Sequence, residues 1–129
     1  MMRPAFLTAF AALAFSGMAA ADPAHGIWQT EPDDGAFAFV EMESCGEAVC
    51  GSIIRTFNSE GEYQSENIGR QIVIDMVPQG EGRYEGSVWR PSNDRVYIGR
   101  MAVEGDALTL RGCVVGGLIC ARQNWVRIQ

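Results

Sequence analysis

Arg70-Gln71-Ile72-Val73-Ile74-Asp75-Met76-Val77 is followed by Pro78-Gln79-Gly80-Glu81-Gly82, then Arg83-Tyr84-Glu85-Gly86-Ser87-Val88-Trp89-Arg90. Pro91-Ser92-Asn93-Asp94 comes next, then Arg95-Val96-Tyr97-Ile98-Gly99-Arg100-Met101-Ala102-Val103. Runs rich in β-branched and aromatic residues, punctuated by Gly, Pro, Asn and Asp clusters, read as strand, turn, strand, turn, strand. In the first run Ile72, Ile74 and Met76 share one side, and Val73, Asp75 and Val77 the other. In the third, Tyr97 shares a face with Gly99, Met101 and Val103, while Arg100 lies with Val96 and Ile98. Nothing here has the period of a helix.

The same pattern extends in both directions. Upstream, strands are expected over residues 26–30, 36–43 and 49–57, and downstream over 107–113 and 118–128. Residues 58–69 read as the longest loop. Eight short strands joined in order by short turns suit an all-β antiparallel meander. Closing it into a small barrel satisfies the edge strands, whose backbone groups would otherwise stay unpaired. A barrel of that size is either filled by side chains or holds one small ligand. A β-sandwich is the alternative architecture.

The N-terminus has a different character. One positive charge at Arg3, an apolar stretch to Phe15 and the small residues before Asp22 read as a signal peptide over residues 1–21. The apolar run is shorter than the roughly 20 residues needed to span a bilayer. Residues 22–129 then form a single domain, with no repeat, linker or other segment able to cross a membrane. Removing Arg3 makes the formal net charge of −6 one unit more negative, and every basic residue is an arginine. An acidic balance argues against nucleic acid as a partner, because phosphates demand a basic surface.

Four cysteines, Cys45, Cys50, Cys113 and Cys120, agree with export, since an even count in a small exported chain indicates disulfides. Three pairings are possible. Cys45–Cys50 and Cys113–Cys120 are favoured because each pair flanks a turn-like stretch, and facing positions across a hairpin approach disulfide distance. Loops this short contribute about 2 kcal/mol each on the chain-entropy model. A zinc site is a poor rival, lacking Cys-x-x-Cys spacing and having only His25 as a further ligand.

Gly26-Ile27-Trp28 opening the first strand and Trp125-Val126-Arg127 closing the last resemble the calycin group of barrels, the lipocalins and their relatives. The resemblance implies barrel closure by Gly26, Trp28, Trp125 and Arg127, with the Trp28 ring plugging the floor under a stacked guanidinium. A closer resemblance spans nearly all of residues 22–129. Gly26-Ile27-Trp28-Gln29-Thr30, Cys50-Gly51-Ser52-Ile53-Ile54, Pro91-Ser92-Asn93-Asp94-Arg95-Val96-Tyr97, Leu110-Arg111-Gly112-Cys113 and Cys120-Ala121-Arg122-Gln123-Asn124-Trp125 look like domain-of-unknown-function family 2147. Asn93-Asp94-Arg95 departs from that family's usual Asp-Gly-Lys turn. The resemblance implies a periplasmic or envelope setting in a Gram-negative bacterium, and it brings no reaction.

Chemistry is hard to assemble from these residues. His25 is the single histidine, no Gly-x-Ser-x-Gly elbow exists, and nucleophilic catalysis needs a nucleophile, a base and an oxyanion site. Glu41 and Glu43 share a strand face as solvent-facing alternation. Asp75 is expected either buried against an arginine or marking a strand bend. Asp33-Asp34-Gly35 is a turn without a calcium loop's ligand order, and no phosphate or dinucleotide loop is present. No catalytic residue, metal or cofactor is expected. Recognition remains, with Trp89, Tyr97 and Arg100 as candidate binding residues. A non-enzymatic module binding a small amphipathic ligand or an envelope component is the leading expectation. An inhibitor of an exported lysozyme or protease, working through residues 58–69, is the alternative.

Overall fold

The computed structural model describes residues 22–129. The signal-peptide reading of residues 1–21 lies outside the described residues. The strands are β1 (Gly26–Gln29), β2 (Phe37–Cys45), β3 (Ala48–Asn58), β4 (Gly61–Tyr63), β5 (Gln71–Gly80), β6 (Arg83–Arg90), β7 (Arg95–Glu104), β8 (Ala107–Val114) and β9 (Ile119–Arg127). Eight of them close into an antiparallel barrel in chain order, β1-β2-β3-β5-β6-β7-β8-β9, with β9 returning to β1 where Trp28 faces Arg127. The β-sandwich alternative is set aside by this closure.

β4 is the addition, a short strand hydrogen-bonded to β3 outside the ring. The expected loop over residues 58–69 is therefore part hairpin, and it packs on the barrel instead of protruding as a free loop. Two contacts hold it. Arg55 donates through Nε and Nη2 to Glu62, each at 2.6 Å, and the Thr56 hydroxyl donates to the Tyr63 carbonyl at 2.6 Å.

Alternation in β2 sends the small side inward. Ala38, Val40 and Met42 are buried, whereas Phe37 and Phe39 lie on the outer face. There Phe37 stacks on Phe57 with ring centroids 4.8 Å apart, Phe39 packs tilted against Phe57 at 4.6 Å, and the Arg55 guanidinium lies over Phe39 and Phe57.

The barrel is filled at one end. Trp28, Met42, Val49, Met76, Tyr84, Met101, Leu108 and Trp125 are buried there, each contributing about 1.5–3 kcal/mol relative to exposure. Gly51 and Gly99 make room for them: a methyl at Gly51 would stand 2.6 Å from Met42 Sδ and 2.8 Å from Val40 Cγ1. Residues 22–25 form a plug beneath. Ala24 is fully buried, and its carbonyl accepts the Trp28 Nε1–H at 2.8 Å. The Tyr84 hydroxyl donates to the Asp22 carboxylate, and burial, aided by that bond, pushes the phenol well above its ordinary range. Arg127 lies 4.4 Å over the Trp28 ring, donates to the carbonyls of Pro23 and His25, and pairs with Asp106 at 3.0 Å.

β5 bends at Asp75, which has φ 47° and lies where pairing with β6 shifts register between Ile74 and Val77. The expected alternation fails there: Val73 and Met76 are both buried, and Val77 is exposed. Of the two expectations for Asp75, burial against an arginine is corrected, because the residue is exposed. Gly86 faces the bend across the sheet, where a Cβ would come within 2.6 Å of the Ile74 carbonyl oxygen. Cys45 is bridged to Cys50 across the β2–β3 hairpin, and Cys113 to Cys120 across β8–β9.

Candidate functional site

Away from the plug, the barrel holds a cavity of about 500 Å³. Volumes of about 300–1,000 Å³ are typical of sites for small ligands. Its walls come from four sides of the ring: Ala38 on β2, Ile53 on β3, Val88 on β6, and Leu110 with Gly112 on β8. These positions are apolar because they occupy the inward phase of each strand, where alternation puts the side chains that avoid water. Gly112 matters for the volume. A Cβ there would sit at ordinary contact distance, 3.4 Å from Val88 Cγ1 and 3.5 Å from Tyr97 Cβ, so its lack of a side chain leaves space.

The buried polar groups of the described residues are already satisfied, with no buried side-chain nitrogen or oxygen lacking a partner. The Thr30 hydroxyl accepts the Ala38 N–H at 3.0 Å, and Gln123 accepts the Trp125 Nε1–H at 2.8 Å. An occupant would meet the apolar side chains of Ala38, Ile53, Val88 and Leu110, with Thr30, Thr56 and Gln123 also on the lining.

Polarity gathers at the mouth. Glu31, Asp33, Arg90, Ser92 and Arg122 all line it. Arg90 donates to Asp33 through Nε and Nη2, both at 2.9 Å, and the Ser92 hydroxyl adds a bond at 3.2 Å. This clasp ties the β1–β2 loop to the β6–β7 turn. The hydrogen bond from Arg90 holds the Asp33 carboxyl below its usual value, against the opposing effect of partial burial. A carboxyl with a lowered folded-state pKa adds stability above its unfolded pKa, and loses it as pH falls through the lower folded value. The clasp should therefore be unchanged from pH 7 to 5 and loosen only below about pH 4. Carbon-13 NMR titration of the Asp33 carboxyl should show this depression, and Arg90→Gln should move it back up. An ordinary titration in the unmodified protein would contradict the clasp.

The expected binding residues separate. Trp89 and Tyr97 belong to the cavity lining, and Arg100 does not. Trp89 is buried, its ring 3.7 Å beneath the Arg70 guanidinium and its Nε1–H donating to Asp94 at 2.8 Å. It is packed rather than presented as a gripping rim. The Tyr97 hydroxyl accepts from Asn93 Nδ2 at 2.6 Å. Arg100 lies on the outer face of β7, where Nη1 donates to the Gly117 carbonyl at 3.1 Å. Sequence reasoning missed the Asp33–Arg90 clasp, for which opposite charges in two turns are the only trace.

Among the described residues no other cluster offers better chemistry. Cys45, Cys50 and Asp75 lie close enough to suggest a metal, but the two sulfurs are bonded to each other and have no thiolate to offer. Ser44 Oγ and His25 Nε2 are 3.2 Å apart on the exposed plug side, and among the described residues no carboxylate orients the ring from Nδ1.

The model of the bacterial family described as "Uncharacterized protein conserved in bacteria (DUF2147)" matches residues 26–127. The chain belongs to this family. Among curated protein sequences none matches it. A solved structure similar to this DUF2147 chain is that of HP1028 from the human pathogen Helicobacter pylori, a protein of the lipocalin family. The two share 17% identity over 81% of this chain and 82% of the other, with a TM-score of 0.65. At that identity the likeness establishes a lipocalin-like fold for the DUF2147 chain and leaves its function to the site. Two disulfides fit an oxidising, extracytoplasmic compartment. Among the described residues no helix is long and apolar enough to cross a membrane.

Proposed function

We propose that this protein is a non-enzymatic binding module that holds one small amphipathic molecule in the open half of its barrel. The observation that carries the reading is the roughly 500 Å³ cavity, apolar along its walls and charged at its mouth. Burying hydrocarbon supplies the driving force, at about 25 cal/mol per Å² of apolar surface removed from water. The mouth would keep a polar head group solvated beside Arg122, Tyr97 and Ser92. Trp89 would act by stiffening the wall that the ligand touches.

The setting we assign is the periplasm of a Gram-negative bacterium, with residues 1–21 as the export signal, so the ligand would be an envelope component. The inhibitor alternative has less to work with, because residues 58–63 are folded onto the barrel as the β3–β4 hairpin.

Native mass spectrometry tests this on oxidised protein purified from its own envelope. An adduct on the order of a few hundred daltons, released on denaturation, is expected for a drug-sized occupant. The bare polypeptide mass, together with no uptake of a fluorescent fatty acid by the purified protein, would sink the reading.

A further inference from the structure

Two features of the outer surface stand apart from the cavity walls and meet the cavity only at its mouth, through Arg122 and Ile119. The first is a row of arginines. Arg100 on β7 stands directly opposite Arg111 on β8, and Arg111 directly opposite Arg122 on β9. Strand alternation puts all three on the outer face. Like charges facing one another across a sheet are destabilising, yet none of the three has a carboxylate within ion-pair distance among the described residues. Glu85, the cross-strand neighbour of Arg100, forms no such pair. Of the other described arginines, Arg55, Arg70, Arg90 and Arg127 are each paired to an acid, while Arg83 and Arg95 are not. In a chain with a formal net charge of −6, three unmatched cations side by side make a local positive face.

The second feature is the hairpin tip above that row. Val115 is 64% exposed, Leu118 83% and Ile119 61%. Apolar residues are usually drawn inward, and a contiguous exposed group at a loop end marks a contact surface. The tip is held in place as well as exposed. The Cys113–Cys120 bridge lies at its base, and Arg100 ties down its Gly117 carbonyl. Val115 has φ 54°, a conformation that β-branched residues avoid. The inner residues of the same hairpin, Val114 and Ile119, line the cavity mouth.

We propose that this protein docks on an anionic lipid bilayer, inserting Val115 and Leu118 at the acyl boundary and setting Arg100, Arg111 and Arg122 against lipid phosphates. The dimensions agree. Arg111 lies four residues behind Val115, about 13 Å along an extended strand, and Arg100 reaches the tip itself through Gly117. Interfacial segments bury their apolar side about 5–10 Å into the headgroup region, leaving the cations behind them at phosphate depth. Charge complementarity selects a phosphate-bearing surface, since the rest of this acidic molecule would be repelled by one. Docked this way, the cavity mouth faces the bilayer.

Vesicle sedimentation tests the proposal with empty vesicles, so its failure is separate from any failure of ligand binding. The oxidised protein is expected to sediment with vesicles of phosphatidylglycerol in phosphatidylcholine at low salt, and to be released in 0.5 M salt as screening shortens to a few ångströms. Arg111→Gln with Arg122→Gln should weaken the partition at least tenfold while leaving the melting temperature unchanged or higher, because facing like charges are removed. Leu118→Ser should weaken it about tenfold, the loss expected for one buried leucine side chain. Comparing variants cancels any contribution from residues outside the barrel. Absence of binding to anionic vesicles would overturn the proposal and favour an acidic protein as the partner of the arginine row. Binding indifferent to both sets of substitutions would overturn it equally.

Discussion

Trp28→Ala is expected to cost about 3–5 kcal/mol, the range for truncating a buried aromatic residue. Trp28 is fully buried, its indole N–H is bonded to the Ala24 carbonyl, and Arg127 covers its face at 4.4 Å. Truncation removes all three at once. It leaves a void between the plug and the core, a carbonyl without its donor, and a guanidinium without its ring. Domains of this size are stable by only about 5–15 kcal/mol, so much of the margin is consumed. Thermal denaturation of the oxidised protein should show a fall of at least about 10 °C. Trp28→Phe should recover part of it, since the ring face is retained and the N–H is not. A loss below about 1 kcal/mol would mean that residues 22–25 do not plug the barrel as described.

Glycine substitutions at two levels of the barrel should have opposite consequences. Gly112→Leu projects into open cavity, past neighbours at 3.4–3.6 Å, so the protein should fold with little change in stability. Binding of a fluorescent fatty acid should fall at least 100-fold, because the side chain occupies the volume the ligand needs. Gly51→Ala adds one methyl where Met42 Sδ would be 2.6 Å away and Val40 Cγ1 2.8 Å, and overpacking of that kind costs about 1–3 kcal/mol. Ligand titration and thermal melts on the same two variants separate the effects. If Gly112→Leu bound the probe as tightly as the unmodified protein, the cavity would not be the binding site.

Much of the architecture is legible in the sequence because turns and alternation are local signals. The strands around Pro78-Gln79-Gly80 and Pro91-Ser92-Asn93-Asp94 lie close to where their residue types place them. The bend at Asp75 is legible as an acid in an apolar strand, but its exposure is not. That depends on a register shift opposite Gly86, which no local pattern announces. The direction of β2 is similarly hidden. Phe37 and Phe39 alternate with smaller residues, and only the closed barrel reveals that the smaller set fits inside.

The site is harder to read than the fold. Alternation puts Tyr97 and Arg100 on opposite faces of their strand, but only the closed barrel shows that the Tyr97 face is the inner one, which leaves Arg100 outside the cavity. Whether the interior is full or open is a different kind of question. The answer is a filled lower half and an open upper half, and it depends on how side chains from eight strands share one volume. The Asp33–Arg90 clasp joins turns that are remote in sequence, so only the folded chain brings them together.

The pairing of β9 with β1 also has a consequence for timing. The register that closes the ring sets Trp28 against Arg127, so the seam joins the earliest strand to the latest. Every preceding hairpin can zip locally as the chain emerges, yet the sheet keeps two unpaired edges until its final strand arrives. Non-local pairings of this kind form slowly and leave intermediates open to aggregation. A chain delivered from one end would stay an open, pliable ribbon throughout delivery, and would lock only after the last residues had cleared.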